Sequence, residues 1–301
     1  MILLKAERRL EETLDFMYGY LTLRAYFFTL RTRLNESGIG FPNSSYAEMW
    51  MNAFGSVDKE KLLRNAFEFV SRECDASCID LCDTFDRASY FALIHPNHPN
   101  ITLGFVKDAD LWNIWLSESP FSVAREVIAE ILGLGQDSIK LVDLGCGSVS
   151  PAYYGSVMGS KGVYSGIDAS HSMVRIAESK VRAERLDWVS VRRDNAETRL
   201  VAKRKYDAVI CSSLLQYTSI QPVLRNAGEL TDYDGVLVIF SELFRDVEPE
   251  KEKIMNLYYS LVPGFRSFPA ISEILDCLDS MGVSYRYKAG RNILLVEFSG
   301  R

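Results

Sequence analysis

The sequence predicts an α/β fold: a mostly parallel, seven-stranded sheet interleaved with helices, following an all-helical amino-terminal segment. Three observations point there. Beyond residue 138, short apolar runs of strand length alternate with segments of helical periodicity, the pattern of parallel strands joined by crossover helices. Before Ile139 no run alternates apolar and polar residues over a strand's length. Near the carboxyl end, two apolar runs are separated only by the short turn AGRN at 289–292, which pairs them as an antiparallel hairpin.

Taken in order, helical periodicity predicts helices over residues 5–34, 46–54, 58–72, 79–94 and 120–134. The breakers GIGFPN at 38–43, HPNHPN at 95–100 and SESP at 117–120 separate them. GLGQDS at 133–138 then marks the change of texture, and the chain divides into a helical segment, 1–135, and a sheet domain, 136–301. Strands are expected over 139–144, 163–167, 188–192, 206–211, 236–241, 283–288 and 293–298. Helices fall between them over 151–158, 170–183, 220–230, 249–261 and 271–281.

Composition narrows the function classes. With 301 residues, 48% of them hydrophobic, the chain can bury a sizeable core. Its 34 basic and 40 acidic side chains leave a net charge of -6, which gives no broad attraction for nucleic acid or an anionic membrane surface. The basic run from Arg182 to Lys205 reads as a solvated face. Charges of both signs arrive early in MILLKAERRLEE, so no export signal is expected. The apolar stretch at 16–30 is short for a membrane span and is interrupted by Arg24. Six cysteines without a leader fit reduced thiols, and the expected location is the cytoplasm.

The chemistry concentrates at strand ends. The first strand runs into LVDLGCGSVSPAYY, in which Asp143, Gly145, Gly147 and Ser148 lie where a strand turns into a helix. Glycine there lets backbone approach a ligand, and the helix start offers unpaired amides. The second strand ends in Asp168, placed to accept both hydroxyls of a ribose. RRDNAE follows the third strand, with Asp194 and Asn195 positioned for the edge of a flat heterocycle such as adenine. After the fourth come Ser212 and Ser213, small enough to leave room at the carboxyl edge of the sheet, where ligands bind open α/β sheets. The longer G-x-G-x-x-G fingerprint of hydride-transfer enzymes is absent.

Over 139–298 these motifs resemble the class I S-adenosylmethionine (SAM)-dependent methyltransferases, a Rossmann-like family. The resemblance implies the strand order 3-2-1-4-5-7-6 with the last strand antiparallel, and SAM as cofactor. It places Asp143, Gly145 and Gly147 beside the methionine part, Asp168 at the ribose, and Asp194 with Asn195 at the adenine. Ser212 and 214–217 fall where the family shapes the sulfonium and acceptor site, and DGVLVIF at 234–240 matches its fifth strand. Where the family's loop carries a third glycine this sequence has Val149, with Ser148 and Ser150 beside it as hydroxyl donors to the methionine end.

Methyl transfer from a sulfonium needs positioning and exclusion of water more than covalent help, so no fixed catalytic motif is expected. The acceptor is expected to be a small molecule, such as a biosynthetic intermediate, enclosed by the helical segment. An alternative keeps the cofactor: some methyltransferase-like enzymes, such as azetidine-2-carboxylate synthases, cyclise SAM or transfer its aminocarboxypropyl group, releasing methylthioadenosine. A module of the same fold, retained for binding or assembly after losing its reaction, is a third reading. The candidate catalytic side chains are Tyr18, Tyr20 and Tyr217, whose ring faces could stabilise a sulfonium, and His95, held by the rigid HPNHPN turn as a proton acceptor. His98 shares that turn, and His171 reads as flanking the cofactor. Cys74, Cys78 and Cys82 recur at helical spacing and read as a buried stripe, so no metal is expected.

Overall fold

The computed structural model describes residues 2–32, 41–55, 58–71, 76–97, 103, 108–200 and 205–299. Cys74, His98, Lys203 and Arg204 lie outside them. Six helices precede the sheet among the described residues: α1 (Ile2–Thr32), α2 (Ser44–Gly55), α3 (Lys59–Val70), α4 (Ile79–Ile94), α5 (Ala109–Ser117) and α6 (Phe121–Ile131). Helix α5 is absent from the sequence expectation. Its start is nonetheless encoded, because the Asp108 carboxylate accepts the Leu111 amide at 3.1 Å and so caps the first turn. Asp58 does the same for α3, accepting the amides of Glu60 and Lys61.

The sheet comprises β1 (Lys140–Leu144), β2 (Val163–Asp168), β3 (Val189–Arg193), β4 (Tyr206–Ser212), β5 (Thr231–Phe240), β6 (Tyr285–Ala289) and β7 (Ile293–Phe298). Their order is β3-β2-β1-β4-β5-β7-β6, and β7 runs antiparallel to both its neighbours. The intervening helices are α7 (Ser150–Met158), α8 (His171–Ala183), α9 (Ile220–Leu230), α10 (Pro249–Tyr259) and α11 (Ile271–Ser280). Strand β5 starts five residues before the expected Val236, because TDYDG, which reads as a turn, pairs Thr231 with Tyr206 across a shift in register.

Alternation along the central strands feeds two cores. Leu141, Tyr164, Ala208, Ile210, Val238 and Phe240 face one side, together with α10 and the amino-terminal helices. Val142, Ile167, Val209, Cys211, Leu237 and Ile239 face the other, against α9 and α11. The helical segment therefore shares one continuous apolar core with the sheet. A buried charge cluster reinforces that junction: Asp15 of α1 meets Lys251 of α10 and Arg291 before β7, each at 2.5 Å, and Glu248 meets the same two cations at 2.7 Å. Arg9 of α1 also reaches Glu126 of α6 at 2.8 Å. No helix among the described residues is long and apolar enough to cross a membrane.

Candidate functional site

At the carboxyl edge of the sheet, where β1 and β4 part towards opposite sides, lies a crevice of about 240 Å³. Its floor is the loop after β1. Gly145 and Gly147 have φ of 74° and 60°, the left-handed region that glycine occupies without strain. A Cβ on Gly145 would lie 2.8 Å from Leu214 Cδ1, so a side chain there would displace the opposite wall. Helix α7 follows directly, and its N-terminus has no side-chain cap.

Asp168 ends β2 against this loop. Its Oδ2 accepts the Gly147 amide at 2.9 Å and its Oδ1 the Ser170 amide at 2.8 Å. Burial raises the carboxyl pKa and the two amides oppose that rise. Each carboxylate oxygen keeps a second lone pair for a ligand. Beyond β3, Asp194 and Asn195 form a tight turn in which Asn195 Oδ1 accepts the Glu197 amide at 2.8 Å. Both line the crevice, as do Ser212 at the end of β4 and Tyr217 in the following turn. Gly145, Gly147, Asp168, Asp194, Asn195, Ser212 and Tyr217 thus line one crevice.

Asp143 and Ser148 sit behind the loop instead. Asp143 is buried, accepts the Tyr164 hydroxyl at 2.8 Å, and has its pKa pushed by burial to about 7. The Ser148 hydroxyl is spent on Asn113 Oδ1 of α5 at 2.9 Å, leaving Ser150 as the serine that lines the crevice. Val149, in place of glycine, also forms part of the wall.

Three expected catalytic side chains are placed elsewhere, and the crevice lining contains none of them. Tyr18 packs on Phe69 beneath the Lys251 ammonium, 5.4 Å from its ring, and burial pushes its pKa to about 12. The Tyr20 hydroxyl donates to Asp83 at 2.7 Å. His95 ends α4 with an exposed ring beside Phe91. Helical periodicity cannot tell an aromatic ring in a core from one in a pocket, which is why the tyrosines of α1 looked usable. His171 opens α8 and is exposed. Cys78 and Cys82 are buried in the helical core. Tyr217 is a wall rather than a base, since burial, and then the neighbouring Glu242, hold its phenol protonated.

Two functional candidates escaped the sequence reading. Glu242, two residues past β5, is 3% exposed yet lines the crevice. Gln216 Nε2 donates to it at 2.8 Å and the Tyr259 hydroxyl at 3.3 Å, while burial raises its pKa against those hydrogen bonds. Its position at a fifth strand end was the available signal. Arg125 of α6 also lines the crevice, with Trp112, Leu116 and Phe121 of α5 and α6. It stands four residues after Phe121 and three before Ile128, so it interrupts a helix's apolar stripe, which was legible.

Comparison with known proteins agrees with this geometry. Residues 136–264 match the family of methyltransferase domains, whose cofactor is SAM. The chain is 31% identical over 213 residues to an uncharacterised protein of Methanocaldococcus jannaschii, a match covering 69% of this chain and 57% of that one. It therefore spans little more than half the relative's length. The citrinin polyketide synthase CMeT domain shares the fold with a TM-score of 0.64 at 12% identity, over 99% of this chain and 97% of that one. The CurJ carbon methyltransferase does so with a TM-score of 0.58 at 12% identity, over 98% and 92%. Both likenesses extend through the amino-terminal helices.

Proposed function

We propose that this protein, whose residues 136–264 match the family of methyltransferase domains and whose sheet has the class I strand order, is a SAM-dependent methyltransferase acting on a small molecule. The observation that carries the reading is the convergence of the β1 loop, Asp168, the Asp194–Asn195 turn and Ser212 on one crevice. SAM supplies a methyl group already activated on a sulfonium. Asp168 would receive the ribose hydroxyls, Asp194 and Asn195 would border the adenine, and the backbone of Gly145 and Gly147 would hold the methionine arm. Tyr217 and Ser212, which line the same crevice, would flank the sulfonium, where an aromatic face would contribute about 0.5 to 2 kcal/mol. Trp112, Leu116 and Phe121, which also line the crevice, would help to exclude water.

Glu242 takes the proton that a hydroxyl, amine or acidic carbon loses as it is methylated. A raised pKa suits it, because a carboxylate too acidic is a poor base near neutral pH. The reading divides the labour between residues 1–135, which cover the acceptor, and 136–301, which hold the cofactor. It places the enzyme in the cytoplasm, in small-molecule biosynthesis.

The test is incubation with methyl-labelled SAM and a small-molecule extract of the source cells, followed by mass spectrometry. Expected are a labelled product and S-adenosylhomocysteine in equal amount, only when extract is present. Methylthioadenosine formed without any extract would overturn methyl transfer in favour of cyclisation.

A further inference from the structure

Among the described residues, Arg125 lines the crevice as a cation without an ion-pair partner. It is 5% exposed. Its Nη2 donates to the Leu116 carbonyl at 2.6 Å, its Nε has no hydrogen-bond partner, and its Cζ lies 5.7 Å from the centre of the Tyr153 ring. A guanidinium does not shed its proton in a protein, so a buried one is stabilised by pairing or is left costly.

The acids around it are committed elsewhere. Glu126, next on the helix, reaches out to Arg9. Asp143 holds the Tyr164 hydroxyl and forms no ion pair with Arg125, acting on it only at longer range. On the α8 side the facing group is Lys180, a like charge occupied by Asn113 Oδ1. Burial accordingly lowers the Arg125 pKa against the distant acids and tyrosines. Among the described residues, none supplies Arg125 with a paired negative charge.

Its place in the crevice identifies the missing group. Arg125 is bonded to Leu116, whose Cδ1 would lie 3.3 Å from a Cβ on Gly147, so the guanidinium belongs to the end of the crevice formed by the glycine loop and α7. Val149 and Ser150 line that same end. A SAM molecule with its adenine at Asp194–Asn195 and its ribose at Asp168 would bring its amino-acid end there. Resting on the SAM reading of the crevice, we propose that Arg125 anchors the methionine carboxylate of the cofactor, so that the helical segment completes the cofactor site rather than only covering the acceptor.

The experiment is calorimetric titration, without acceptor, of wild type, Arg125→Met and Arg125→Lys with SAM and with decarboxylated SAM, which differ only in the carboxylate. Wild type is expected to prefer SAM. Arg125→Met should lose about 10- to 100-fold in affinity for SAM and stay within about threefold for the decarboxylated compound, with Arg125→Lys in between because it keeps charge but not the fork. Thermal melting of the ligand-free Arg125→Met variant should be unchanged or higher, since an unpaired buried charge is gone. Equal losses for both ligands would make Arg125 merely structural, and unchanged SAM affinity would assign its charge to an acidic acceptor; either overturns the proposal. Wild type binding neither ligand would instead defeat the SAM reading itself.

Discussion

Replacing Asp168 by Asn probes the cofactor site at its most heavily used atom pair. The carboxylate accepts the Gly147 and Ser170 amides at 2.9 and 2.8 Å, and two ribose hydroxyls would fill its remaining lone pairs. Asparagine keeps one oxygen and turns an NH2 group towards a backbone donor, so one amide and one ribose hydroxyl lose their acceptor. A hydrogen bond to a charged group contributes about 1.5 to 3 kcal/mol, so affinity for S-adenosylhomocysteine should fall roughly 10- to 150-fold. The stranded amide should lower the stability of the ligand-free protein by about 1 to 3 kcal/mol. Calorimetry measures the first effect and urea unfolding the second. A 2′-deoxy analogue separates ribose from loop: wild type should discriminate against it, and Asp168→Asn should do so less. Unchanged S-adenosylhomocysteine affinity in a folded variant would refute the ribose assignment.

With an acceptor in hand, Glu242→Gln should reduce turnover about 10²- to 10³-fold while S-adenosylhomocysteine affinity holds, as measured by steady-state kinetics and calorimetry. Burial raises the Glu242 pKa, and the base form is the ionised one, so wild-type activity should fall as pH drops through that raised value; the variant should lack this acid limb. Asp15→Asn leaves Lys251 with Glu248, and Arg291 with Glu248 and Glu11, and should cost about 2 to 4 kcal/mol in urea unfolding. Burial alone would raise the Asp15 pKa, but Arg291 and Lys251 outweigh it and hold the carboxyl below its usual value of 3.8. Its contribution is therefore present above that unfolded value and lost as pH falls through the depressed folded one, so the deficit of the variant should shrink in acid. Far from the crevice, exposed Arg185 adopts φ 56° where α8 ends; Arg185→Gly should raise the melting temperature by roughly 2 °C with cofactor affinity unchanged.

The sheet was legible because each strand announces itself in one dimension. KLVDL and YDAVICS are apolar runs bounded by turn residues, and the AGRN turn reverses the chain before β7. The strand-end residues were legible for the same reason, since a glycine loop or an acid placed at a strand terminus has its position fixed by topology. Contacts that depend on how helices lie over the sheet were not. Tyr18 and Tyr20 face α3 and α4 rather than the crevice, and nothing in the spacing of α1 distinguishes those outcomes. Helix α5 is nine residues between breakers, too short for periodicity to stand out, yet it brings Trp112 and Leu116 to the crevice. Arg125 and Glu242 were visible as anomalies: an arginine on an apolar stripe and an acid just past a buried strand.

The most direct test of the whole arrangement is a crystal structure of the protein grown with S-adenosylhomocysteine. The ribose is expected on Asp168, the adenine beside Asp194 and Asn195, the thioether near Tyr217 and the carboxylate on the Arg125 guanidinium. A ligand bound away from the β1 loop, or a crevice still empty at saturating S-adenosylhomocysteine, would contradict it.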